Sequence, residues 1–217
     1  MNPDEARVNM ISQQLRTWNV LDERILRMFQ QVPRELFVAE EYTKLAFADT
    51  EIPVGHGQFM MPPKEEGHVL QAMQVQPHEK VLQIGAIGGY LAALLAKEAM
   101  HVYLVEPYQT LLATAQQHLT DLGLTNISFI QGDINTGWQA DGPFDVIVLT
   151  GSVPRVPNQI REALNVHGRL YAVIGNAPAM TATVFHHEAE GSWQEKTLFE
   201  TIRPRLPHVE EPNGFTF

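Results

Sequence analysis

Apolar positions along this chain of 217 residues change rhythm twice. Between residues 2 and 18, Val8, Ile11, Leu15 and Trp18 recur at helical spacing, which predicts one helix with a single apolar face. Asn2 suits its cap, Pro3 its first turn, and Asp4 and Glu5 its positive end. A second helix is expected from Asp22 to about Gln31, burying Ile25, Leu26 and Phe29 and stopping before Pro33. Residues 33–65 lose all periodicity, and Pro53, Gly55, Gly57, Pro62 and Pro63 mark a long irregular region. Ordered loops of that length usually carry function.

From about residue 67 short apolar runs alternate with helical patterns. Lys80–Ile84, His101–Val105, Asn126–Ile130, Phe144–Leu149 and Arg169–Ile174 read as strands. Helices are expected over Tyr90–Glu98, Gln109–Leu122 (with Gly123 closing it) and Asn158–Leu164. Thr181–His187 and Gln194–Glu200 alternate apolar and polar residues, as edge or antiparallel strands do. The pattern predicts an α/β protein with a mostly parallel twisted sheet, helices on both faces and a helical amino-terminal extension. The expected organisation is one structural unit, in which 1–66 packs as helices and loop on a main domain over 67–217.

Composition narrows the function more than the fold. Hydrophobic residues make up 44% and charged residues 18%, as in an ordinary globular chain. The formal net charge of −10 argues against a nucleic-acid partner, since phosphate binding needs clustered Lys and Arg. The chain contains no cysteine, which excludes disulfides, thiolate nucleophiles and cysteine-based zinc sites. No signal peptide or membrane-length apolar run is visible, so the cytosol is the default location, without a membrane partner. A monomer is expected, with an oligomer left open.

The informative segment is Val81-Leu82-Gln83-Ile84-Gly85-Ala86-Ile87-Gly88-Gly89-Tyr90. A strand passing through glycines into a helix lets backbone approach a nucleotide cofactor at the strand's carboxyl end. Glu106 ends the next strand, 106 − 85 = 21 residues after the first glycine. That separation, about 20 residues, suits an acid accepting hydrogen bonds from ribose hydroxyls. Asp133 follows Gly132 at the end of the third strand, where a carboxylate can take an adenine amino group. Read as structure alone, the glycines make a tight turn; both acids in place favour a cofactor site.

With these residues the chain resembles the protein-L-isoaspartate O-methyltransferases. The likeness runs through Gln31-Val32-Pro33-Arg34-Glu35-Leu36-Phe37-Val38, Ala48-Asp49, Ile52-Pro53-Val54-Gly55-His56-Gly57-Gln58, Val81–Ala96, Val105-Glu106, Leu122-Gly123, Gly132-Asp133 and Pro143–Ile147. It implies a Rossmann-like methyltransferase fold, S-adenosylmethionine as cofactor, and a protein or peptide acceptor carrying an isoaspartyl or D-aspartyl carboxylate. It further implies that Gly85 and Gly89 are cofactor-loop glycines, that Glu106 binds ribose and that Asp133 lies on the adenine side. Such a transfer demands positioning more than acid–base help, because the acceptor is already ionised near neutral pH.

Two segments depart from the family pattern. After Gln58 the family reads T-I-S-Q-P, whereas this chain reads Phe59-Met60-Met61-Pro62-Pro63. Met61 stands at the serine position and cannot donate a hydrogen bond, so no catalytic residue is assigned there; Pro62 also removes a backbone donor. In the cofactor loop Ile87 takes a middle glycine's place, where its β-branched side chain is expected to hinder close approach. Gln83 is a neutral substitute for an acid. Three readings follow: an isoaspartyl methyltransferase, a relative serving only as a binding or regulatory module, and a methyltransferase for a more apolar acceptor. Met60 and Met61 suggest a pocket wall or an exposed contact surface. His56 is as easily a pocket residue as an ordinary loop histidine. His186 and His187 are adjacent on a strand, so no metal site is expected. Ser152 lacks a nucleophile motif, and Trp18, Trp138 and Trp193 read as packing residues.

Overall fold

The computed structural model describes residues 2–209; the end of the expected main domain, 210–217, lies outside them. The chain opens with α1 (Pro3–Asn9), capped by the Asn2 side chain accepting from the Asp4 amide. The expected long helix does not stay regular: a π-turn over Met10–Leu15 follows, then a 3₁₀ turn over Arg16–Trp18. The Arg16 amide reaches back five residues to the Ile11 carbonyl. A five-residue spacing lines up Met10 with Leu15, both buried, and swings Val8 and Trp18 outward to about half exposure. The 3.6-residue reading of that face was therefore wrong at its two ends. Trp18 instead lies beneath the Lys64 ammonium, 4.6 Å from the ring centre.

Helix α2 (Glu23–Gln31) starts on an Asp22 cap and buries Ile25, Leu26, Met28 and Phe29. The region expected to be irregular is more ordered than its sequence suggested. It holds 3₁₀ turns at Arg34–Phe37 and Glu40–Leu45 and a hairpin of β1 (Ile52–Gly55) and β2 (Gln58–Met60). It ends in α3 (Pro63–Met73), a helix the aperiodic pattern hid. Two prolines mark its start rather than a loop, because Pro63 at the first helical position lacks only an amide that has no helical partner. Buried Glu65 and Glu66 blurred its apolar face.

The remaining elements are β3 (Lys80–Ile84), α4 (Tyr90–Ala96), β4 (His101–Glu106), α5 (Gln109–Asp121), β5 (Ile127–Gln131) and β6 (Phe144–Val153), then α6 (Asn158–Glu162), β7 (Leu164–Asn176), β8 (Ala179–Ala189) and β9 (Ser192–Glu200). The last helix is shorter than expected, since Leu164 already belongs to β7. Seven strands form one sheet in the order β5-β4-β3-β6-β7-β8-β9. The first five run parallel, while β7–β8 and β8–β9 are antiparallel. Side chains alternate between two cores, as a doubly covered sheet requires. Val81, Val102, Leu104, Val146 and Val148 join the core under the amino-terminal helices, α3, α4 and α5. Leu82, Ile84, Val105, Ile147 and Leu149 meet Ile134, Trp138, Ile160 and Leu206 on the other face. Strand order reverses between β3 and β6, the place where open α/β sheets form a crevice at their carboxyl edge. Among the described residues no helix is long and apolar enough to cross a membrane.

Candidate cofactor and acceptor site

At the carboxyl end of β3 the backbone turns through Gly85, Ala86, Ile87, Gly88 and Gly89 before entering α4. Gly85 has φ +97°, and a Cβ there would lie 2.0 Å from the Thr150 hydroxyl oxygen. Gly89, at φ +94°, starts α4 against Ala115 of α5. Both positions demand glycine, one for space and backbone angle together, the other for angle and close helix packing. The Gly85 amide donates to Val105 O at 2.9 Å, which ties the turn to β4.

Ile87 does take a left-handed φ of +37°, but its side chain is buried in the core beneath the amino-terminal helices. It does not stand in the mouth of the turn, so the expected obstruction is corrected to a local backbone strain of about 1–3 kcal/mol. Gln83 is fully buried and donates through its amide to Gly85 O at 2.9 Å. An ionised acid there has no proton to give that carbonyl, so the neutral residue suits this turn.

The three residues singled out at neighbouring strand ends are adjacent in space through the backbone. Glu106, at the end of β4, accepts from the Ala86 amide at 2.8 Å and from the Tyr108 amide at 3.1 Å. Burial pushes its carboxyl above the ordinary value, against the pull of those amides and of nearby His56. Asp133 follows β5, and its Oδ1 accepts from the amides of Asn135 (2.7 Å) and Thr136 (3.0 Å). Its Oδ2 lies 2.7 Å from His208 Nδ1. Burial opposes ionisation of Asp133, but the bonds from His208, Asn135 and Thr136 outweigh it and hold the carboxyl below its ordinary value. His56, at the β1–β2 turn, stacks on Tyr108 with ring centres 4.2 Å apart and meets Thr110 Oγ1 at 2.9 Å. The hairpin is thereby fastened next to Glu106.

The 59–63 segment is built differently. Met60 and Met61 are both fully buried, which corrects the expectation of a pocket wall or contact surface. The Met61 carbonyl accepts from Arg34 Nη2 at 2.6 Å. Arg34, itself without exposure, also donates to Ala46 O at 2.7 Å, pairs with Glu66 through Nη1, and stacks over the Tyr90 ring. Phe59 O accepts from Arg203 Nη2 at 2.9 Å, and Arg203 Nη1 pairs with Glu51 at 2.5 Å. Two buried guanidiniums from opposite ends of the chain thus fix the two carbonyls flanking Met60. Sequence reading missed both. Arg34 lay inside a quoted motif without a role, and Arg203 lies outside every quoted motif. Burial raises the Glu66 carboxyl to about 7 despite the pull of Arg34, and raises Glu65 in the same way against Arg203 and Thr201. Ser152 is buried and donates to Arg203 O at 3.0 Å, a structural use of its hydroxyl. Among the described residues no group of three His, Asp or Glu is arranged to hold a metal ion.

Known proteins resemble this chain in sequence and in fold. The sequence profile of the family described as protein-L-isoaspartate(D-aspartate) O-methyltransferase matches residues 6–203. A protein-L-isoaspartate O-methyltransferase of Koribacter versatilis is 38% identical over 192 residues, covering 88% of this chain and 86% of its own length. One from Geobacter metallireducens is 38% identical over 176 residues, covering 81% and 82%. Among solved structures, a putative protein-L-isoaspartate O-methyltransferase from Plasmodium falciparum, in complex with S-adenosyl-L-homocysteine, superposes with a TM-score of 0.79. It is 18% identical and covers 95% of this chain and 98% of its own, a likeness of fold. On the extent of the profile match and the identity to these relatives, the chain belongs to the protein-L-isoaspartate(D-aspartate) O-methyltransferase family.

Proposed function

We propose that this family member binds S-adenosylmethionine and methylates the free carboxylate of L-isoaspartyl or D-aspartyl residues in a protein or peptide. The observation that carries the reading is the hydrogen bond between the Gly85–Gly89 turn and Glu106, with Asp133 following the neighbouring strand β5, all at the carboxyl edge of the sheet. The residues present fit the cofactor. Gly85 keeps open a backbone cradle that a Cβ would clash in, and Ile87 turns its side chain away into the core. Glu106 offers ribose hydroxyls the lone pairs its two amide bonds leave, and Asp133, held ionised by its own partners, is the candidate acid for the adenine side.

When bound, the cofactor supplies a methyl group on a sulfonium. Transfer of that methyl to a carboxylate oxygen would break the carbon–sulfur bond and return its electron pair to sulfur. An anion and a cation become a neutral ester and a neutral thioether, with no proton to move, so the chain's task is orientation. Met61 gives no hydroxyl to that task, and its side chain is committed to the core. The more apolar acceptor loses support for the same reason, since Met60 and Met61 line no cavity wall.

Titration calorimetry with S-adenosylhomocysteine tests the cofactor half. Measurable binding is expected, and absence of heat at millimolar ligand sinks both methyltransferase readings. A methyl-ester assay on an isoaspartyl peptide, against the same peptide with ordinary aspartate, tests the acceptor half.

A further inference from the structure

The β1–β2 hairpin is held at its two ends by different means. Its base is core, since Ile52 and Met60 pair across it and both are fully buried. Its tip, residues 55–57, is exposed, and Gly55, His56 and Gly57 all take left-handed angles, φ +105°, +51° and +68°. Glycine accepts such angles freely, whereas a side chain at the middle position costs backbone energy. No burial offsets that cost at His56. What the imidazole gains lies on another element. It stacks nearly flat on Tyr108, with the rings 12° from parallel and their centres 4.2 Å apart, and its Nε2 meets Thr110 Oγ1 at 2.9 Å.

Tyr108 and Thr110 lie where β4 passes into α5, directly after Glu106. The Tyr108 amide donates to Glu106 Oε1 at 3.1 Å, while Glu106 Oε2 accepts from the Ala86 amide of the cofactor turn at 2.8 Å. A continuous chain of contacts thus runs from the hairpin through His56, Tyr108 and Glu106 into the turn. The imidazole also lies close enough to favour the ionised form of Glu106 against the burial that opposes it. A ring-on-ring contact is directional, so it fixes the hairpin tip sideways as well as in height. The same hairpin carries Phe59, whose carbonyl Arg203 holds from the other side.

We infer that His56 is a positioning residue for S-adenosylmethionine: stacked on Tyr108, it fastens the hairpin tip beside Glu106 and keeps that carboxylate aligned for the ribose hydroxyls. The inference rests on the cofactor reading of the Gly85–Gly89 turn and adds a residue that acts on the ligand through Tyr108 and Glu106. A glycine at position 56 eases the turn and cuts the chain of contacts, so stability and ligand affinity are separable there.

The test is titration calorimetry with S-adenosylhomocysteine on the wild type and on His56→Gly, His56→Phe and Tyr108→Leu, with melting temperatures of the ligand-free chains alongside. His56→Gly suits the backbone angle, so its melting temperature is expected to stay close to that of the wild type. Its Kd is expected to rise about fivefold, the loss of one aromatic stack. His56→Phe keeps a ring on Tyr108 and is expected to restore affinity to within about twofold of wild type. Tyr108→Leu is expected to match His56→Gly, and the double variant to be no weaker than either, because both remove the same contact. Asn19→Gly, at an exposed left-handed residue of another turn, is expected to bind as wild type. An unchanged Kd in His56→Gly overturns the inference, as do additive losses in the double variant or a His56→Phe no better than His56→Gly. If His56→Gly does not fold by circular dichroism, Tyr108→Leu decides, and a wild-type Kd there overturns the inference. A wild-type chain that binds no S-adenosylhomocysteine sinks the cofactor reading and the inference with it, whereas failure in the variants alone leaves that reading standing.

Discussion

The cofactor turn and the acceptor segment depart from their family's sequence pattern to a similar degree, yet the structure absorbs the two departures in opposite ways. In the turn, Gln83 and Ile87 alter side chains while the backbone still curls through Gly85 and Gly89 and still meets Glu106. In the segment, Met60 and Met61 fill the core, and the shape is held by Arg34 and Arg203 gripping carbonyls from outside it. A site made of backbone tolerates side-chain change if the new side chain finds another place to go. A site made of one hydroxyl does not.

The comparison breaks most sharply at Arg34. Replacing it by Met leaves Glu66 buried without its cation and frees the Met61 carbonyl. The expected loss is about 3–5 kcal/mol of unfolding free energy, read by urea denaturation. Replacing Arg34 and Glu66 together by Met is expected to recover most of it, because a buried pair is often no better than apolar residues of similar size. If the single variant loses under about 1 kcal/mol, the segment is not held by this pair.

The same pair gives the acceptor side a pH dependence of its own. The folded Glu66 carboxyl titrates near about 7, above its ordinary value of 4.5. Between those two pH values the folded chain holds more protons than the unfolded one, so stability falls as pH rises and is flat above. The stabilisation is fully present below about pH 4.5 and lost through about pH 7, amounting to at most about 3 kcal/mol. Burial moves Glu65 and Glu106 the same way, whereas Asp133, held low, adds stability that is fully present above its ordinary value and is lost as pH falls below it. Melting temperatures between pH 5 and 8 are expected to decline, and Glu66→Gln is expected to flatten most of that decline.

Legibility in the sequence followed the same division. Strands β3 to β5 and the turn between β3 and α4 were readable to within a residue or two, because short apolar runs punctuated by glycine have few alternatives. Helix α3 was not, since its buried face includes Glu65 and Glu66, which read as solvent-facing until Arg34, 32 residues away, explains one of them. The π-turn after α1 shifted Val8 and Trp18 outward, and nothing local in the sequence marks an i→i+5 bond. The places of Gly85, Glu106 and Asp133 at neighbouring strand ends were readable because strand ends converge by topology. Arg203 was not, because it reaches the Phe59 carbonyl only through the pairing of its segment with Ser152.

On the turn itself, Gly85→Ala measures how strictly the backbone is specified. The added methyl meets the Thr150 hydroxyl at an impossible 2.0 Å, and the residue must also keep φ +97°. A loss of about 1–3 kcal/mol is expected from the strained angle alone, together with weakened S-adenosylhomocysteine binding as the turn shifts. Adding Thr150→Ala is expected to relieve the clash but not the angle, restoring part of the stability. Full restoration would show that space, not backbone conformation, selects glycine at 85.

The smallest expected effect decides whether the turn's departures are harmless. Ile87→Val removes one methyl group and leaves both the β-branch and the left-handed backbone in place. Because the side chain lies in the core, the expected cost is about 0.5–1.5 kcal/mol of stability. S-adenosylhomocysteine affinity is expected to stay within twofold, since nothing facing the ligand changes. If the trimmed side chain instead tightens binding severalfold without loss of stability, Ile87 faces the cofactor after all. The turn would then resemble the acceptor segment, a site whose chemistry its own side chains have displaced.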